Sequence, residues 1–153
     1  MNTSRTKMLC KAATIITTVV FIIGIAAYLT IPFWVEGYIR WRNVTSPDYY
    51  TIILCTLYPS GLGCLILLYC VLRLLRNINH NRAFVLQNVK LLKIISLCCL
   101  IIALIFFCSV FFIDSIFSFI IVLAFAMAAL LFYVIGESFR VATKYKEEND
   151  LTI

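Results

Sequence analysis

Residues 91–113 read LLKIISLCCLIIALIFFCSVFFI, and this stretch decides the fold class. A helix needs about 20 predominantly apolar residues to cross a bilayer, and here the single charged side chain, Lys93, stands close to the start. Further apolar runs occupy residues 12–33, 51–72 and 117–139. The pattern predicts an all-α integral membrane protein whose four spanning helices form a four-helix bundle.

The amino-acid composition also indicates that lipid, rather than water, surrounds this chain. Of the 153 residues, 63% are apolar or aromatic and 13% are charged, whereas soluble domains carry about 25% charged residues. The mean hydropathy is +1.03. Four crossings and their short connections use nearly the whole length, so we expect residues 1–153 to form a single membrane domain.

The basic residues predict the orientation of the helices. Eleven of the 13 Lys and Arg residues lie before the first run, in or at the edge of the segment between the second and third runs, or after the fourth. The other two are Arg40 and Arg42. Because Lys and Arg resist translocation, we expect both termini, with a tail of residues 140–153, in the cytoplasm. The net charge of +6 then reflects topology, and we expect no direct binding of nucleic acid.

The segment after the first run, residues 34–50, is rich in aromatic residues, among them Trp34, Tyr38 and Trp41. Indole and phenol rings favour the headgroup region, because one end of each ring system is apolar and the other is wet. We therefore expect this loop to lie along the membrane surface.

The second run contains Pro59-Ser60-Gly61-Leu62-Gly63 at its middle. Proline removes a backbone hydrogen bond and glycine loosens the backbone, so Pro59, Gly61 and Gly63 predict a helix kink. Broken helices line substrate sites in transporters, but no charged residue accompanies this segment. An ordinary kink is the favoured interpretation.

The apolar runs contain no ionisable residue at mid-depth, where functional charges of membrane proteins usually stand. We therefore expect no enzyme activity, no catalytic residue, no cofactor and no metal site, and the lone His80 is a poor metal ligand without Cys or acidic neighbours. Seven cysteines lie in or beside the runs and are interpreted as packing residues. The pair Cys98–Cys99 is the one position where a redox role stays open.

Two segments carry a family resemblance. Residues 84–95, FVLQNVKLLKII, resemble the pattern P-F-x-x-x-N-x-x-x-L-x-x-I of the bacterial family known as domain of unknown function 2975. Residues 146–153, KEENDLTI, are similar to that family's ending, E-x-D-L-T-I, and Phe139-Arg140 matches its step out of the fourth helix. Ala83, where the family has Pro, and Val141-Ala142 depart from the pattern. The resemblance implies a multi-pass protein of the bacterial inner membrane with unassigned activity, whose gene is often paired with one for a small Cro-like helix-turn-helix regulator.

From this resemblance we expect a regulatory or sensor protein that holds such a regulator at its cytoplasmic face. Asn88 stands near the start of the third helix, where it is expected to cap the helix or bond the loop. The candidate partner-binding residues are Asn88, Lys90, Glu147, Glu148, Asp150, Leu151 and Ile153. The alternatives are a small transporter, as a monomer or a dimer, and an immunity protein against a membrane-active peptide. Small residues such as Ala124 and Ala128 also offer a homodimer face.

Overall fold

The computed structural model describes residues 3–42, 47–80, 85–113 and 116–150, and all regular structure within these ranges is helical. There are five helices in the described residues. They are α1 (Thr3–Leu29), α2 (Ile31–Arg42), α3 (Pro47–Asn79), α4 (Leu86–Val110) and α5 (Ile116–Asp150). Four of them, all except α2, contain an apolar segment long enough to cross a membrane, at Met8–Leu29, Asp48–Asn79, Leu86–Val110 and Ile116–Lys146. The predicted all-α class and the four long apolar helices are confirmed.

The first helix ends earlier than the sequence predicts, because Pro32 stops it. Proline has no N–H to donate and its ring clashes with the carbonyl four residues earlier, whereas it is tolerated in a first helical turn. The chain therefore turns at Thr30 and starts a new helix at Ile31. The Trp34 indole donates a hydrogen bond to the Thr30 hydroxyl, at 3.2 Å, across this junction. Much of the predicted loop of residues 34–50 is thus helix α2.

The other helices are longer than the predicted spans. Helix α3 continues to Asn79 and α4 begins at Leu86, so most of the predicted second loop is helical. Helix α5 continues through the predicted tail to Asp150. At about 1.5 Å per residue, the 35 residues of α5 measure about 50 Å, against a hydrocarbon core of about 30 Å. Helix α5 is therefore longer than the apolar layer of a bilayer is thick.

Three threonine hydroxyl groups inside the apolar segment of α1 are satisfied within their own helix. Thr14, Thr17 and Thr18 of α1 each donate to the carbonyl four residues earlier, at 2.7–2.8 Å. In lipid no water can take over these bonds, so a polar side chain needs such a partner. These threonines are compatible with a spanning helix and require no catalytic explanation.

The spanning helices are neighbours in the order α1, α3, α4, α5, and α2 packs on α3 and α1. In each neighbouring pair, residues later in one helix contact residues earlier in the other. Asn79 of α3 binds Thr14 of α1, whereas Gly61 of α3 meets Tyr28, near the far end of α1. Each neighbouring pair is antiparallel, so the start of α1 and the end of α5 lie at the same end of the protein. We call this the basic end, and the opposite end the α2 end.

The most extensive packing joins α4 to α5. A Cβ atom added at Gly136 would lie 3.3 Å from the Cβ of Leu92, and the Ser96 hydroxyl donates to the carbonyl of Ala129 across the interface at 2.8 Å. Small residues allow such an approach and gain dispersion energy. The core cluster lies beside this crossing. It consists of Cys70, Leu91, Ile95, Cys99 and Ala129.

Candidate functional site

A groove runs along the protein between α1 and α2 on one side and α5 on the other. Helices α3 and α4 form its floor. In the described residues, no pair of Cα atoms within 8 Å joins α1 to α5. Two cavities, of about 390 and 330 Å³, share Leu57 and Phe106 in their linings and are therefore adjacent along the groove. No sequence pattern predicted this groove, because it forms where two helices do not meet.

The half of the groove near α2 carries polar groups. Its lining includes Thr56, Ser109 and Ser118, one from each of α3, α4 and α5, and all three side chains are buried. The Thr56 hydroxyl donates to the carbonyl of its own helix four residues earlier at 2.9 Å. The Ser109 hydroxyl donates to the carbonyl three residues earlier in α4, at 2.8 Å. Their oxygens keep lone pairs, so this half of the groove offers hydrogen-bond acceptors inside an apolar wall.

Helix α2 forms the rim of this polar half. Trp34, Val35 and Tyr38 line it, and Arg42 donates from Nε to the Tyr38 hydroxyl at 3.2 Å. The guanidinium also lies 5.9 Å from the centre of the Tyr38 ring. The hydrogen bond to Tyr38 raises the pKa of Arg42 above its ordinary value. A permanently cationic side chain therefore stands next to the rim, attached to a tyrosine that lines the groove.

The other half of the groove is apolar and is shaped by the glycines of α3. A Cβ atom at Gly61 would lie 2.9 Å from the ring of Tyr28, and one at Gly63 would lie 3.1 Å from Ile102 of α4. Gly61 thus makes room for α1 and Gly63 for α4. Pro59 lies within α3, which is a single helix across this segment. The kink at Pro59, Gly61 and Gly63 stays a prediction, and the contacts give the two glycines a packing role.

At the basic end, two amide hydrogen bonds connect three helices. Asn77 of α3 donates from Nδ2 to Oδ1 of Asn88 in α4 at 2.7 Å, and Asn79 donates to the Thr14 hydroxyl of α1 at 2.9 Å. Asn88 is 0% exposed. The residue before α4, Val85, makes no side-chain cap bond. Asn88 therefore lies inside the protein, where its amide joins two helices.

The basic end also carries exposed charges. Lys90 and Glu148, two of the predicted partner-binding residues, are exposed, and Lys144 lies 3.8 Å from Glu148. Thr143 is 1% exposed, so α5 leaves the packed region just after this residue. Glu147 and Asp150 belong to α5, but their side chains lie outside the described residues, as do Leu151 and Ile153 altogether. The structure thus brings Lys90 and Glu148 to the same end and places Asn88 beneath the surface.

The described residues contain no group of three His, Cys, Asp or Glu side chains with the geometry to hold a metal ion. Cys99 is buried and Cys98 half-buried, each as a free thiol. A redox role for this pair stays a prediction.

Four apolar helices of membrane-spanning length mark a multi-pass membrane protein. A family model described as Protein of unknown function (DUF2975) matches residues 8–153, nearly the whole chain, and the protein belongs to this family. The comparisons with curated proteins and with solved structures gave no match.

Proposed function

We propose that this protein is a non-enzymatic sensor of the bacterial inner membrane that holds a small helix-turn-helix regulator at its cytoplasmic face. Its four long helices form one bundle in the membrane, with both termini in the cytoplasm. The observation that carries the proposal is the continuation of α5 to Asp150, because it presents a helical surface beyond the packed region.

The orientation follows from charge. The antiparallel contacts bring the start of α1, the end of α3, the start of α4 and the end of α5 to the basic end. The Lys and Arg residues of this end resist translocation, and Arg40 and Arg42 of α2 are too few to reverse the bias. Helix α2, with exposed Trp34 and Trp41, then lies at the outward-facing surface of the inner membrane.

The docking surface consists of the exposed residues of the α5 extension together with Lys90. Tyr145 is 66% exposed. It directly follows Lys144, which pairs with Glu148 one turn further along α5. Exposed aromatic and charged residues on one rigid helix are typical anchors of protein interfaces. A helix that is already formed also binds with a smaller loss of conformational entropy than a disordered tail would. These features support a protein partner at this end, and the family resemblance supports its identity as a Cro-like regulator.

The test exchanges the members of the ion pair, in the variant Lys144→Glu with Glu148→Lys. The exchange keeps the net charge and composition, and it places the acid nearer the helix N-terminus, which is the more favourable order in a helix. Loss of binding therefore cannot be attributed to a weaker helix. The matched control exchanges Glu36 and Arg40, an exposed pair with the same spacing and 3.5 Å apart at the α2 end.

The measurement is co-purification of the regulator encoded by the neighbouring gene with the detergent-solubilised full chain. We expect the exchange in α5 to lower recovery at least about tenfold, since about 1.4 kcal/mol of lost interaction suffices. The exchange in α2 should leave recovery unchanged. Equal recovery from the wild type and both variants would contradict the proposed docking surface. The transporter and immunity hypotheses stay predictions, to be tested by flux in proteoliposomes and by peptide sensitivity of a deletion strain.

A further inference from the structure

The groove between α1 and α5 must be filled in a membrane. Its apolar half is lined by residues of all four long helices, and a void there would forfeit the dispersion contacts of the lining atoms. Water is a poor occupant, because this half offers few polar partners and an ordered water needs two to four of them. The groove is open along the gap between α1 and α5, so a molecule from the surrounding bilayer can enter sideways.

The polarity of the groove changes along its length. Near α2 the lining contains the hydroxyls of Thr56, Ser109 and Ser118. Beyond the shared Leu57 and Phe106, the lining is almost entirely apolar, and it includes Ala27, Leu68 and Phe125. The groove is thus mainly apolar, with a few hydroxyl groups near the end of the spanning helices and almost none toward the middle of the bilayer. This order matches the long axis of a membrane lipid.

The charge at the polar end selects the headgroup. Arg42 binds the Tyr38 hydroxyl at the rim, and Arg40 of the same helix pairs with Glu36. Because Tyr38 accepts its hydrogen bond from Arg42, its own hydroxyl proton is free to be donated to an oxygen of a ligand. A guanidinium and a phenol at one place form a suitable pair of donors for a phosphate group.

We propose that the groove binds one anionic phospholipid from the leaflet on the α2 side, with its phosphate at Arg42 and Tyr38 and one acyl chain beside Ala27 and Phe125. The lipid completes the surface between α1 and α5, where protein contacts are missing. This site is separate from the docking surface at the basic end, so either proposal can fail without the other.

The experiment reconstitutes the full chain into nanodiscs that contain equal parts of phosphatidylglycerol and phosphatidylcholine. The protein is then extracted in a mild detergent, and the lipid retained by each chain is counted by native mass spectrometry. We expect one phosphatidylglycerol per chain and little phosphatidylcholine, because only the first lipid has a net negative charge for Arg42 to neutralise.

Two matched pairs of variants test the two halves of the groove. Ala27→Trp fills the apolar half, whereas Ala26→Trp places the same side chain on the same helix outside both cavities. Arg42→Gln removes the cation at the rim, whereas Arg40→Gln removes an equal charge from a residue that does not bind Tyr38. We expect Ala27→Trp and Arg42→Gln to lower retention of phosphatidylglycerol about tenfold, the scale of a charge-assisted hydrogen bond, and both controls to retain it.

Equal retention by Arg42→Gln and Arg40→Gln would overturn the proposal, as would retention of phosphatidylcholine at the level of phosphatidylglycerol. A lipid-free dimer in the wild type that Ala27→Trp converts to a monomer would also overturn it, since a second copy of the chain would then fill the groove. The Arg42→Gln variant changes an exposed side chain outside the spanning helices, so it decides the question even if Ala27→Trp fails to fold.

Discussion

The bond between Asn77 and Asn88 predicts a measurable coupling between α3 and α4. Replacing either residue with alanine removes the bond of 2.7 Å and leaves its partner amide without that contact. Asn88 is fully buried, so loss of a partner there should cost about 1–3 kcal/mol. In membrane proteins the coupling energy of such pairs averages about 0.6 kcal/mol and reaches about 1.7 kcal/mol. We expect a coupling within this range from a double-mutant cycle.

The assay is reversible unfolding by sodium dodecyl sulfate in mixed micelles, followed by tryptophan fluorescence, for the wild type, Asn77→Ala, Asn88→Ala and the double variant. Gln87→Ala is the control, because Gln87 is the exposed neighbour of Asn88 on α4. The free-energy loss of the double variant should be smaller than the sum of the single losses. Additive losses, or a loss for Asn88→Ala no larger than for Gln87→Ala, would refute the interhelical role. Recovery of the regulator per folded molecule should be unchanged in Asn88→Ala, because a buried amide does not contact a partner.

Two further predictions concern packing and orientation. Gly136→Leu should destabilise the protein by about 1–3 kcal/mol, the usual cost of overpacking, because the backbone of α4 lies against this position. Gly37→Leu should not destabilise it, because no atom lies within 4 Å of a Cβ added there. Equal unfolding free energies of the two variants would contradict the close approach of α4 and α5. In a chain whose native cysteines are replaced by alanine, a membrane-impermeant maleimide should label Trp41→Cys in intact cells and label Tyr145→Cys only after lysis, and the reverse pattern would invert the proposed topology.

The number of long apolar helices could be predicted because each apolar run is long enough for a bilayer and holds few charges. The helix ends were harder to predict. Thr30 looks like part of an uninterrupted apolar run, yet the chain turns there because Pro32, in the first turn of α2, cannot continue α1. Helix α5 continues past the apolar residues because nothing between Arg140 and Asp150 breaks a helix. Hydropathy reports the solvent of a residue and does not report its backbone conformation.

The roles of individual polar and small residues depended on contacts that are distant in sequence. The expectation that Asn88 caps a helix or bonds the adjacent loop stays a prediction. Its amide oxygen accepts from Asn77 of the preceding helix, a contact that no local pattern indicated. Gly61 and Gly63, with Pro59, predicted a helix kink, which stays a prediction. The structure shows two neighbouring side chains that occupy the space of the missing Cβ atoms of the glycines. Ser118, which carries no sequence signal, joins Thr56 and Ser109 in the groove only because three helices meet there.

The amino-acid sequence alone indicates that lipid is the solvent of this protein, that four of its helices can cross the bilayer and which segments carry the positive charge. It did not determine which helices are neighbours, where α1 and α5 separate or what the groove presents. In water, the apolar face of a helix is the buried face, so a sequence reveals packing through its periodicity. In a membrane, lipid is as apolar as the protein interior, and the face turned toward lipid looks much like the face turned toward a neighbouring helix. Shape complementarity between side chains therefore selects the neighbours, and only the tertiary structure contains that information.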